Sequence, residues 1–233
     1  MVTHTRCAHV WTALSTGLIM LLAAAGCSSD KSDIVSVATT LAANPGVSGQ
    51  TGTVGQVLPT PISVHLTDQN GAAMSGVAIT WSVVGSGGSV DSATSTTNSN
   101  GDAVTDWTLG TVVGTDSLNA STASGLTTAI SATANAGAFT TMVKVSGDSQ
   151  AVAAGSAGQP LVVRTVDQYG NAVSGVTVNW VVSGGGTLSA ASSTSDANGL
   201  AQVTLTTDPA PASYTVTASS GAATPIVFTQ TGS

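Results

Sequence analysis

The sequence predicts an all-β protein, two tandem sandwiches behind an N-terminal signal helix, and three observations carry that expectation. Composition is the first. Among 233 residues glutamate is absent and lysine occurs only at Lys31 and Lys144, while Val, Thr, Ser, Gly and Ala crowd the chain. Helix-favouring surface residues are therefore scarce and β-branched ones common. The second observation is a period-two alternation of apolar and polar residues in several short runs. The third is duplication: "LTDQNGAAMSGVAITW" (66–81) returns 99 residues later as "TVDQYGNAVSGVTVNW" (165–180), with eight of sixteen positions identical.

The first element is a leader. "MVTHTRCAHVWTALSTGLIMLLAAAGCSSD" has one cation, Arg6, then 19 uncharged residues from Ala8 to Gly26. A basic start, an apolar middle and a small-residue end mark a secretory signal. The run is also long enough to span a bilayer, so an uncleaved anchor helix is the alternative, and plain secretion a third. "AAGC", residues 24–27, resembles the bacterial lipobox, with Ala24 where leucine is usual. That resemblance implies removal of a signal peptide, 1–26, and a diacylglycerol on the Cys27 sulfur, followed by a short polar tether, 27–32. One acyl chain holds a membrane only marginally, whereas two or three anchor durably. Ser28, not aspartate, follows the cysteine, which implies an exported, lipid-anchored protein at the outer membrane or cell surface. Cys7 leaves with the signal, so the mature chain is expected to contain no disulfide.

The strands come next. Ile62, Val64 and Leu66 alternate with Ser63, His65 and Thr67, and Leu161, Val163 and Thr165 are their matches in the second copy. Val77, Ile79, Trp81 and Val83 share one face of the following strand, matched by Val176, Val178, Trp180 and Val182. Such alternation marks half-buried strands. "DQNGAAMSG" and "DQYGNAVSG" join these pairs and carry the Asp, Asn and Gly that make turns. Further correspondences are "GGSV" with "GGTL", "NGDAVTDW" with "NGLAQVTL" and "SLNAS" with "TVTAS".

A period near 99 residues, filled with short strands and turn signals, fits an immunoglobulin-like sandwich of about 100 residues. The expected domains are 33–137 and 138–233, joined at "TANAGAFTT" (133–141), a stretch with little to pack and expected to act as a hinge. The residues "VDQYGNAVSGVTVNW", "SDANGLAQVTL" and "YTVTAS" resemble the bacterial immunoglobulin-like group 1 (Big-1) family of the invasin and intimin surface proteins. The resemblance covers most of 142–228; the first copy shares "DQNG", "SGVAITW", "NSNGDA" and "WTLG". It implies an adhesive or structural role. The β-barrel anchor and lectin-like tip of those adhesins are missing from the sequence, so their host-cell partners are not expected of it.

Chemistry-bearing residues are few. The formal charge of −7 and the scatter of four cations argue against a nucleic-acid partner. Trp81 and Trp180 fall among Val and Ile, which suits core packing better than stacking on a sugar. Trp107, matched by Leu205, reads as apolar filling. Tyr169 sits in a turn opposite Asn70 and is the better candidate for an exposed contact. His65, the only histidine beyond the leader, has Arg164 as its counterpart and reads as a solvated strand residue. Asp68, Asp102, Asp167 and Asp196 lie in loops that resemble weak calcium sites, although each loop offers one or two carboxylates where Ca²⁺ takes six to eight oxygens. Asp or Asn followed by Gly is first of all a turn. No cofactor, catalytic residue or metal centre is expected, for no "GxSxG", "HExxH" or phosphate loop occurs. The expected function is a non-enzymatic envelope lipoprotein, adhesive or a spacer. The alternatives are a glycan- or peptidoglycan-binding module and an accessory subunit of an envelope complex; the partner is the membrane together with a surface protein or glycan.

Overall fold

The computed structural model describes residues 35–85 and 87–233. The signal segment, Cys27 and the tether lie outside the described residues. The first sandwich contains β1 (Ala38–Ala43), β2 (Gln50–Thr53), β3 (Ile62–Asp68), β4 (Ala78–Val84), β5 (Ser89–Val90), β6 (Thr94–Thr96), β7 (Asp102–Thr105), β8 (Trp107–Thr108), β9 (Gly114–Thr122) and β10 (Thr127–Asn135). The second contains β11 (Thr141–Ser146), β12 (Gln150–Val152), β13 (Leu161–Val166), β14 (Thr177–Ser183), β15 (Thr187–Leu188), β16 (Ser192–Thr194), β17 (Leu200–Val203), β18 (Leu205–Thr206), β19 (Ala212–Ser219) and β20 (Ile226–Gly232).

Each sandwich packs a three-stranded sheet on a five-stranded one. The orders are β1-β3-β7 and β2-β10-β9-β4-β6, then β11-β13-β17 and β12-β20-β19-β14-β16, with the ribbons β5-β8 and β15-β18 at the sides. The first strand of each repeat changes sheet. β1 runs antiparallel to β3, and after a turn β2 runs parallel to β10; β11 and β12 do the same with β13 and β20. Gly147 makes the second of these crossings. Its φ is +93°, and a Cβ there would stand 2.3 Å from the Pro160 carbonyl oxygen, so a side chain has neither the conformation nor the room.

Two separate cores result. Ile62, Val64, Leu66, Ile79, Trp81, Trp107, Leu118 and Ile130 fill the first; Leu161, Val163, Val178, Trp180, Leu205, Tyr214, Val216 and Phe228 fill the second. Burying one such side chain contributes roughly 1.5–3 kcal/mol. The alternation expected of Ile62–Asp68 and Ala78–Val84 appears in their burial, with Ile79 and Trp81 inside and Val77 and Val83 half-buried at the rim. The joint differs from the expected loose hinge. Ala134 is buried in the first core and Phe139 packs against the second, so both ends of the linking stretch are held.

Candidate functional site

Trp81 and Trp180 are placed by strand parity and satisfied by serines on the adjacent edge strands, β6 and β16. Trp81 and Trp180 are each 3 % exposed. Their indole N–H groups donate to Ser95 Oγ and Ser193 Oγ, both at 2.8 Å. Trp107 is fully buried and donates to the Gly87 carbonyl at 2.8 Å. A buried indole needs such an acceptor, and rings this deeply buried present no open face to a sugar.

The turns have one construction used four times. Asp68 Oδ1 accepts the N–H groups of Asn70 and Ala72 at 2.8 and 2.9 Å. Asp167 Oδ1 accepts those of Tyr169 and Asn171, both at 2.9 Å, and Asp196 Oδ1 those of Asn198 and Leu200 at 2.8 and 2.9 Å. In the fourth turn the acceptor is Asn98, whose Oδ1 takes the N–H groups of Asn100 and Asp102. An amide therefore serves where a carboxylate serves elsewhere, so the turn requires an acceptor and not a charge. At Asp68 they favour the ionised form: the backbone N–H groups of Ala72 and Asn70 hold its carboxyl below the usual range.

Asp102 has a different place. It follows the turn in β7, opposite His65 in β3, and its Oδ1 lies 2.9 Å from His65 Nδ1 and accepts from Asn44 Nδ2 at 3.2 Å. The hydrogen bond with His65 is the main cause that lowers its pKa. His65 is thus a half-exposed strand residue held to a carboxylate. Among the described residues no group of three His, Cys, Asp or Glu side chains stands close enough to hold a metal ion. The candidates Asp68, Asp102, Asp167 and Asp196 are not brought together into one such group.

Tyr169 and Asn171 sit at the joint between the sandwiches. Asn171 Nδ2 donates to the Thr111 carbonyl at 2.9 Å, and its Oδ1 accepts the Val113 N–H at 3.2 Å. Asp167 Oδ2 accepts the Gly137 N–H at 2.9 Å. Burial raises the Asp167 pKa, but the Asn171 amide and the Gly137, Asn171 and Tyr169 N–H groups together bring it below the ordinary range. Tyr169 is 42 % exposed, yet its hydroxyl lies against Gly55 of the first sandwich. An open cleft of about 450 Å³ flanks this joint, lined by Val113, Asn135, Gly137, Ala172, Val173 and Ser174 among others. None of its lining residues titrates, so it offers no acid or base for chemistry. Sequence reasoning missed Asn171; the available signal was an amide in one repeat where the other has Ala72.

Residues 141–231 match the family model described as bacterial Ig-like domain (group 1). No curated protein matches the chain by sequence. Among solved structures, the D0–D1 domain of intimin is 22 % identical, with 82 % of this chain and 98 % of that one covered and a TM-score of 0.32. The Escherichia coli adhesin FdeC is 22 % identical, covering 84 % and 66 %, at a TM-score of 0.48. The Yersinia pseudotuberculosis adhesin InvE is 21 % identical, covering 83 % and 58 %, at 0.37.

Proposed function

We propose that this chain, which carries a group 1 bacterial Ig-like domain over residues 141–231, is an exported lipoprotein that displays two tandem sandwiches from a lipid-modified Cys27 as a non-enzymatic adhesive or spacer module of the cell envelope. The observation that carries the reading is "AAGC" followed directly by a polar tether and then by a folded tandem. A signal run ending in Ala-Gly-Cys suits thioether formation at the sulfur, and acyl chains on one residue hold a soluble body at a membrane surface.

The character of the folded part supports the same reading. Its tryptophans serve the cores, its turn carboxylates bind their own backbone, and the joint cleft carries no titratable group. In this reading surface loops and strand edges, and no deep pocket, meet a protein or glycan partner. The domains 33–137 and 138–233 act as two units on one tether.

Metabolic labelling with an alkyne fatty acid tests the anchor. The wild-type protein is expected to take the label and partition with membranes, and Cys27→Ser is expected to lose both properties. Labelling of neither form, or equal membrane retention of both, overturns the proposal. Proteolysis of intact cells then reports whether the sandwiches face outward.

A further inference from the structure

We infer that Asp167, Tyr169 and Asn171 form a plug on the second sandwich that seats in a socket on the first, fixing the angle between them and encoding the order of the repeats. The inference concerns geometry alone and does not depend on the lipid anchor.

The plug is the turn between β13 and β14. Asp167 and Asn171 are buried there, and they bond each other as well as the first sandwich: Asn171 Nδ2 lies 2.9 Å from Asp167 Oδ2. The carboxylate thus orients the amide that clasps Thr111 O and the Val113 N–H, while its Oδ2 also takes the Gly137 N–H of the linker. A side-chain amide that both donates to and accepts from one backbone segment is held in direction as well as distance. Tyr169 closes the other side. A Cβ on Gly55 would stand 2.4 Å from the phenol oxygen and 2.9 Å from the ring, so the contact needs a residue without a side chain.

The fit runs one way. At the positions of Tyr169 and Asn171 the first repeat has Asn70 and Ala72, in a turn whose backbone bonds are the same. That turn therefore has the plug's fold without its two docking groups. At the socket positions the second repeat keeps a glycine, Gly155, but replaces Thr111 and Val113 with Pro209 and Pro211. Proline has no N–H, so Pro211 cannot supply the donor that Val113 gives Asn171. Each repeat is equipped with one half of the joint, and they mate in the order in which they occur.

Residual dipolar couplings of backbone amides, measured on the full chain, test this. One alignment tensor is expected to fit both sandwiches of the wild type. In the double variant Tyr169→Asn with Asn171→Ala, which installs the residues the first repeat carries in its own folded turn, the common tensor is expected to be lost and each sandwich to need its own. Gly55→Ala attacks the same contact from the socket and is expected to have the same effect. A wild type that needs two tensors overturns the inference. So does a folded pair of variants that retains a single tensor with the wild-type orientation.

Discussion

Tyr214 Oη accepts the backbone N–H of Asp208 at 2.9 Å, and in the first repeat the carboxylate of Asp116 accepts the equivalent N–H, from Gly110, at 2.8 Å. One donor is thus satisfied by two unlike side chains at one position of the fold. The neighbouring core residue changes with it: Trp107 stands beside Asp116 and Leu205 beside Tyr214, with each pair meeting at the glycines that precede β5 and β15. A large ring moves from one strand to the next, so total volume is kept while the acceptor changes identity. Tyr214→Phe removes only the acceptor. It is expected to destabilise the second sandwich by about 1–3 kcal/mol, the penalty for a buried donor left unpaired. Urea unfolding checks it, and an unchanged midpoint overturns the assignment.

The two strand tryptophans make a second test. With indoles 3 % exposed, Trp81 and Trp180 are expected to emit as buried fluorophores and to resist quenching by iodide in the native protein. Ser95→Ala and Ser193→Ala each remove an acceptor from an indole and are expected to cost about 1–3 kcal/mol. A glycan platform would predict the reverse: easy quenching, and protection on adding oligosaccharide.

Strand parity, the turns and the duplication were legible because each is local. Alternation across Ile79 and Trp81 reports burial directly, and Asp-x-x-Gly reports a turn whatever surrounds it. What was not legible depends on partners remote in sequence. The parallel pairing of β2 with β10 joins Gln50 to Ala132, and no local pattern in "QTGT" announces it. Asn171 looks like any turn asparagine until Thr111 and Val113 are placed opposite. Tyr169 is exposed, as its turn position suggests, but its contact with Gly55 of the preceding sandwich has no local signal. Asp102 is a calcium candidate in the sequence because it ends "NSNGD"; in the structure Asn98 is the acceptor of that turn and Asp102, in β7, bonds His65.

Calcium gives the third prediction. Asp68, Asp167 and Asp196 each commit one carboxylate oxygen to two backbone N–H groups, which leaves few lone pairs for a cation. Millimolar calcium and excess EDTA are expected to give the same melting temperature. A rise with calcium that aspartate-to-asparagine substitution at any of these positions abolishes would establish a site.

Acid supplies the fourth. The pKa values of Asp68, Asp91, Asp102, Asp148 and Asp167 lie below the ordinary carboxylate range in the folded protein. For Asp148 the Lys144 ammonium, 2.5 Å away, is the main cause. A folded-state pKa below the unfolded one means that the unfolded chain binds protons first as pH falls. The stabilisation is therefore complete above the unfolded value and is lost as pH drops through the folded values. The urea midpoint is expected to be flat near neutrality and to decline below about pH 4. Asp148→Asn is expected to flatten that decline, and a midpoint that rises on acidification contradicts the assignment.

Gln230 makes the last. It is 2 % exposed, points into the second sandwich beside Gly158, and neither atom of its amide has a hydrogen-bond partner. The first sandwich has Ala132 at the same place, since Ala132 pairs with Gln50 as Gln230 pairs with Gln150. A buried amide without partners costs about 1–3 kcal/mol for each group left unsatisfied, whereas an apolar side chain of similar length loses nothing there. Gln230→Leu is accordingly expected to raise the urea midpoint of the second sandwich. Gln230→Ala removes the same polar atoms but leaves a void, so its gain is expected to be smaller. If Gln230→Leu instead lowers the midpoint, the amide is held in solution by internal water, for which a polar core position with two to four partners is the requirement. The order of the three proteins, leucine above alanine above glutamine, is the outcome that identifies Gln230 as an unsatisfied amide among buried polar groups that have partners, such as Thr165, Ser195 and Thr207.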